Sequence, residues 1–125
     1  VKACTINNIT FIRNQNLSFD AGMELIKKSY VAPAINGTWQ VEKGYIPCRI
    51  FKNISYGQFG ITNNKTVHEL FDGLTVYSEN CFDLFYLANE LRNGEKKEST
   101  IKAQMNIVKA QHTYINRIED ILKVL

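Results

Sequence analysis

No apolar run in this 125-residue chain approaches the roughly 18 residues of a membrane-crossing helix, and no charged-then-apolar segment of the signal type is present. Cysteine is scarce and odd in number. Cys4, Cys48 and Cys81 stand far apart, which excludes a disulfide framework and a CxxC metal knuckle and predicts free thiols in a reducing, cytoplasmic setting. Neither charge sign dominates: 15 Lys+Arg against 12 Asp+Glu give +3, and the basic residues are spread along the chain, so nucleic acid is not an expected partner. A GxSxG, P-loop or GxGxxG pattern is missing, as are repeats, low-complexity tracts and linkers rich in Pro, Gly or Ser. What is present is 45% hydrophobic, 11% aromatic and 22% charged residues, the composition of one globular domain with one core. Five N-x-S/T sequons occur, at Asn8, Asn16, Asn36, Asn53 and Asn64, but with 13 asparagines chance produces several.

Along the chain, Ile9, Phe11 and Ile12 read as the end of a strand. Ser18 reads as the N-cap of a helix to about Ser29, with Phe19, Met23, Ile26 and Tyr30 on one stripe. Val31 to Ile35 is a short β-prone run containing Pro33, either a misfit in a central strand or a strand end, and Asn36-Gly37-Thr38 closes it. Trp39 to Tyr45 reads as a loop. A helix follows, with Pro47 in its first turn, Ile46, Ile50, Phe51 and Ile54 on its buried stripe, and Gly57 as the left-handed residue beyond its end.

Gln58 to Thr62 is a predicted strand. Thr66 to Glu69 reads as a capping box opening a helix to Phe71, which Gly73 ends. Leu74 to Tyr77 is the next strand, followed by a helix from Cys81 to Arg92 with Phe82, Phe85, Tyr86 and Leu91 inward. A long last helix is predicted from Ser99 almost to Leu125, with Ile101, Met105, Val108, His112, Ile115, Ile118 and Leu122 along one face. Strands alternating with helices predict an α/β chain: a single Rossmann-like three-layer domain over residues 1–125, with a small parallel sheet and a long C-terminal helix. In such sheets ligands sit at the carboxyl ends of the strands.

The helix near Pro47 supplies the most specific chemistry. Its N-terminus offers free backbone N–H groups and the positive end of the helix dipole, Arg49 and Lys52 add charge in the first two turns, and Lys43 stands upstream. Together they suit a diphosphate, Arg49 as a bidentate fork and Lys52 as a point charge; alternatively they are a solvated face balancing Glu42. Trp39 and Tyr45 could stack on a base or sugar, or serve as core or interface. His68 has no partner at metal-ligand spacing, and His112 falls on an apolar stripe. Asp72, Glu79 and Asp83 make no recognisable acid/base pair. No metal site and no cofactor is expected.

The run Gly44-Tyr45-Ile46-Pro47-Cys48-Arg49-Ile50-Phe51-Lys52, with Tyr56-Gly57 and Gly60-Ile61-Thr62-Asn63, resembles the C-terminal region of two-domain (GT-B) glycosyltransferases of the "glycosyl transferases group 1" kind. His112-Thr113-Tyr114-Ile115-Asn116-Arg117 is similar to the HTY-x-x-R segment of the terminal helix in those families, and the likeness covers about residues 18–125. It implies a donor-binding domain that holds a nucleotide-diphosphate sugar, with Arg49 on the diphosphate, Gly44, Tyr45 and Pro47 against phosphates or sugar, and Lys52, Thr62 and Asn63 in the same cleft. Lys52 stands where many retaining members carry a glutamate, and Gly44 where its upstream partner would be, so the catalytic residue, the sugar, the acceptor and the stereochemistry stay open. A two-domain enzyme needs roughly 300 residues. The resemblance therefore implies a C-terminal part of a transferase, inactive alone, with no metal-binding carboxylate cluster. Two other classes remain in view: a non-catalytic α/β binding module, and an oligomerisation piece that pairs its C-terminal helix with a second copy.

Overall fold

A computed structural model describes residues 1–125. The elements in order are α1 (Lys2–Ile6), α2 (Phe19–Lys28), α3 (Thr38–Glu42), α4 (Cys48–Ser55), β1 (Ile61–Thr62), α5 (Lys65–Leu70), β2 (Val76–Tyr77), α6 (Cys81–Asn93), α7 (Lys97–Gln111) and α8 (Tyr114–Val124). The chain is mostly helical around a very small parallel sheet, α/β in the broad sense. Ile61 pairs with Val76 and Thr62 with Tyr77, and one further parallel bridge joins Ala34 to Thr62. The three extended positions thus lie side by side in chain order, with α3 and α4 in the first crossover and α5 in the second.

The strands are shorter than their sequence predicts because a side chain takes over where the ladder would begin. Val76 N–H still donates to Gly60 O at 2.8 Å. Just below, the fully buried Gln104 of α7 accepts from Gly60 N–H at 2.7 Å and donates to the Leu74 carbonyl at 2.7 Å. On the other side of β1, Ala34 N–H donates to Ile61 O and Asn36 N–H to the Asn63 side chain. Pro33 therefore falls on the outward-facing register of the edge strand, where a missing N–H costs nothing.

Two apolar clusters sandwich this sheet. Ile50 and Ile54 of α4 and Val67 of α5 pack with Ala34, Phe71 and Val108. Leu84 and Ala88 of α6 pack with Phe59, Ile61, Val76 and Ile101. Helix α7 joins the two, with Ile101 in one, Val108 in the other and Gln104 between them. The approach is closest at Gly60, where an added Cβ would stand 3.0 Å from Ile54 Cδ1 and Thr75 Cγ2. A third small cluster sets Ala3 and Cys4 of α1, with Ile9, against Phe85.

Several local expectations are corrected. Residues 9–12 form no strand; the segment before them is helical instead. Trp39 to Tyr45 is not a loop throughout, since Gly37 N-caps α3 and a turn follows it. The predicted cap of α5 moves from Thr66 to Asn64, whose side-chain oxygen accepts from Thr66 N–H at 3.0 Å, and Pro47 is the N-cap of α4 rather than inside it. In α6 the inward residues are Leu84, Phe85 and Ala88, with Phe82 and Tyr86 exposed. Phe85 is inward as predicted and Leu91 packs partly buried on the same core, while Leu84 and Ala88 take the places expected of Phe82 and Tyr86.

Buried amides hold the loops. The Asn63 side chain accepts from Asn36 N–H and donates to Asn36 O, extending the sheet beyond its last strand residue. Asn64 Nδ2 donates to Tyr45 O, Asn53 Nδ2 to Ala32 O, and Gln58 Nε2 to the carbonyls of Ile26 and Ser29 at the end of α2. Asn36, Asn53 and Asn64 are buried. A glycan at any of these three sequons is incompatible with the fold.

The single C-terminal helix is also corrected, for the chain breaks at His112–Thr113. The His112 ring lies 5.2 Å from Phe51 and 5.8 Å from Phe71. Arg117 donates to His112 Nδ1 at 3.1 Å, so the imidazole is neutral with its proton on Nε2. Thr113 and Asn116 then cap α8 reciprocally. Burial first, and Arg117 second, hold the His112 pKa below its ordinary value, while the Leu70 carbonyl opposes them. The unfolded chain therefore takes up this proton first as pH falls. Stability contributed by neutral His112 is full above about pH 6.5 and declines below it, through the window down to the lowered folded value. The expected result is a melting temperature that falls in mild acid, by less in His112→Phe.

Candidate functional site

Helix α4 buries Ile50, Asn53 and Ile54, which at 100° per residue turns Lys52 to its opposite side and Arg49 to its flank, next to Asn53. There they wall a groove of about 780 Å³ running along the open sheet edge. Its floor is apolar: Ala32, Pro33 and Ile35 of the edge segment, Leu25 and Ile26 of α2, and Phe85 of α6. A continuation of about 610 Å³ shares Phe11, Ile12, Leu25 and Pro33 and reaches Lys28 and Tyr30.

The electrostatics of the groove are one-sided. Arg49 and Lys52 are the charged side chains in its wall, and no carboxylate lines it. Arg49 takes part in no salt bridge, and Lys52 has only the Phe19 ring, 5.8 Å from its Nζ. The first residues of α4 and α6, Cys48 and Cys81, also line the groove; the N-terminus of α4 has no side-chain cap, whereas that of α6 is capped by Asn80. Such a place attracts an anion attached to an apolar or aromatic body. It carries no acid–base couple, since neither histidine lines it. No group of three His, Cys, Asp or Glu side chains comes together as a metal site.

The predicted site residues divide between two places. Arg49 and Lys52 share the groove. Gly44, Tyr45, Pro47, Thr62 and Asn63 do not line it. Gly44, at φ +62°, turns the chain so that it passes 3.4 Å from Thr66 Oγ1, measured from the position of an added Cβ, and Tyr45 is tied to Asn64. Thr62 is fully buried with its hydroxyl accepting from Asn64 N–H, and both ends of the Asn63 amide are used by Asn36. Thr62 and Asn63 therefore build the strand end rather than present side chains to a cleft. Trp39, 67% exposed, and Tyr45 stand on the surface nearby.

The apolar wall was not anticipated. The apolar stripe of α2 and the β-prone run to Ile35 were both visible as patterns, but nothing in either says that they face Arg49. A second polar cluster lies at β2: His68 Nδ1 bonds Thr75 Oγ1 at 2.8 Å, its ring stacks on Tyr77, and Tyr77 donates to Glu79. Burial and Glu79 raise the Tyr77 pKa, so it stays a protonated donor. Compared with known protein families, characterised proteins and solved structures, the chain has no significant match.

Proposed function

We propose that this chain is the donor-binding part of a nucleotide-sugar-dependent glycosyltransferase, formed by the later half of a Rossmann-like domain. The observation that carries the reading is the unpaired Arg49 beside Lys52 at the start of α4, facing a groove without any acidic group. The resemblance of residues 44–63 and 112–117 to group 1 glycosyltransferases supplies the identity of the anion, a nucleoside diphosphate. In-order parallel pairing of Ala34, β1 and β2 agrees with the later strands of such a domain.

In this reading Arg49 grips the diphosphate through two N–H donors, and Lys52 and the helix N-terminus neutralise the charge that grows on it as the glycosyl bond breaks. The groove brings no general acid or base, so the acceptor and the proton-transferring group come from elsewhere in the intact enzyme.

The test is a calorimetric titration of the 125-residue chain with UDP, GDP and their sugar conjugates. Binding of the diphosphates but not of free sugars, lost in Arg49→Ala, supports the reading; equal binding by Arg49→Ala overturns it. A second reading, an interaction module, is favoured by one observation: no residue of α8 is buried.

A further inference from the structure

We propose that the groove takes a phosphate carrying one long aliphatic chain, with the head on Arg49 and Lys52 and the chain laid along the apolar trough. The glycosyl-donor reading engages the two cations and leaves the rest of the lining without a use. A chain-bearing phosphate accounts for both parts and does not depend on that reading.

Phe11, Ile12, Leu25 and Ile35 are all exposed to solvent, yet they converge on this one trough with Ala32 and Pro33. Large apolar side chains gathered on one concave surface mark a binding site. Its walls come from α1, α2, α4 and α6, and its volume of about 780 Å³ falls within the range of small-molecule sites, about 300–1,000 Å³.

The lining selects the kind of molecule. No Ser, Thr, Tyr, Gln, His, Asp or Glu side chain lines this groove. Its one amide, Asn53, spends Nδ2 on the Ala32 carbonyl at 2.6 Å, and its Oδ1 is sealed from solvent. A base or a sugar is recognised through several placed hydrogen-bonding groups, whereas a methylene chain needs only apolar contact.

Charge sets the direction of the chain. Arg49 and Lys52 have no carboxylate partner, so the anionic head belongs with them. The continuation of about 610 Å³ is different. Its one charged group, Lys28, stands 3.9 Å from Glu24. The Ser29 hydroxyl donates to the Leu25 carbonyl and the Tyr30 hydroxyl to Asn89, so apart from Asn8 and Thr10 the polar side chains there already have partners. Phe11, Ile12, Leu25, Pro33 and Phe85 line both parts, giving the chain an unbroken apolar path from the cations past Leu25 toward Val31.

The experiment is a calorimetric titration of the 125-residue chain with hexyl, octyl and decyl phosphate, each below its micelle concentration, beside inorganic phosphate and UDP. The expected affinity rises about two- to fourfold for each added methylene. Arg49→Ala weakens every alkyl phosphate by a similar factor and keeps that increment. Ile12→Ser with Leu25→Gln flattens the increment, while circular dichroism and melting stay unchanged because both positions are exposed. Phe11→Ser, in a segment without helix or strand, reduces the increment independently of that pair. Alkyl phosphates that bind no tighter than inorganic phosphate overturn the proposal. So does an increment that survives all three substitutions, which would place the chain on another surface such as the exposed face of α8. Phosphatidylcholine vesicles containing phosphatidic acid are not expected to bind; capture by them without binding of the monomeric alkyl phosphates would make this a membrane surface and overturn the site. Alkyl phosphate binding without UDP binding keeps this site and overturns the donor reading. UDP binding without a chain-length increment does the reverse.

Discussion

Gln104→Leu is expected to destabilise the chain by about 1–3 kcal/mol, since it strands the buried Gly60 N–H, with a smaller loss at the part-buried Leu74 carbonyl. Gly60 N–H and the Leu74 carbonyl are both held by this one amide at 2.7 Å, and no water reaches a side chain that is fully buried. Leucine fills nearly the same volume, so the loss reports hydrogen bonding rather than a cavity. Against a total stability of about 5–15 kcal/mol, a loss of this size removes a substantial share of the folded margin. Gln104→Glu offers the informative comparison. It keeps an acceptor for Gly60 N–H but sets a carboxylate oxygen against the Leu74 carbonyl, so its deficit should shrink as pH falls and the acid protonates. Denaturant unfolding of the three proteins measures both effects. An unchanged midpoint for Gln104→Leu would show that the two strands do not depend on the α7 amide for their alignment.

The second large effect concerns ligand affinity. Truncating Arg49 removes a charge-assisted, bidentate contact worth about 1.5–3 kcal/mol, which corresponds to roughly 10- to 150-fold weaker binding of a nucleoside diphosphate. Lys52→Ala should cost less, a few fold, because a solvated ammonium acts as a point charge and here rests partly on Phe19. The difference should persist across salt concentration for Arg49, whose hydrogen bonds are directional, and fade for Lys52 as screening increases. Neither change should alter stability, since both side chains are exposed and unpaired by carboxylates. Equal losses for the two variants, both erased by salt, would mean that the groove wall acts only as a diffuse positive surface.

Much of the fold was legible where a local rule had no competitor. Ser18 caps α2, and Gly57 and Gly73 take the positive φ that ends α4 and α5, because these are short-range backbone choices. Ile50 and Ile54 were readable as core from their spacing. What escaped depends on long-range partners. Asn64 displaced Thr66 as the cap of α5 because its amide also reaches Tyr45 nineteen residues earlier. Gln104 shortened both strands from 44 and 30 residues away.

The helix break at His112 was hidden because the apolar stripe passes through it in register, while its cause lies in Phe51 and Phe71 on other elements. At the candidate site, Arg49 and Lys52 were identifiable from their place after Pro47. Thr62 and Asn63 looked equally suitable as polar residues at a strand end, yet the backbone of the neighbouring loops claims their side chains. The apolar wall opposite Arg49 is assembled from α1, α2, the edge segment and α6, and no single stretch of sequence announces it.

The most direct test of the account uses Cys48, an exposed free thiol at the first position of α4 that lines the groove beside Arg49. Its rate of alkylation, followed by peptide mass spectrometry, reads occupancy at the proposed anion site itself. The account predicts that UDP or GDP slows modification of Cys48 in the unmodified chain and has no effect in Arg49→Ala. A Cys48 rate unaffected by any nucleoside diphosphate, or protection that survives the loss of Arg49, would contradict it.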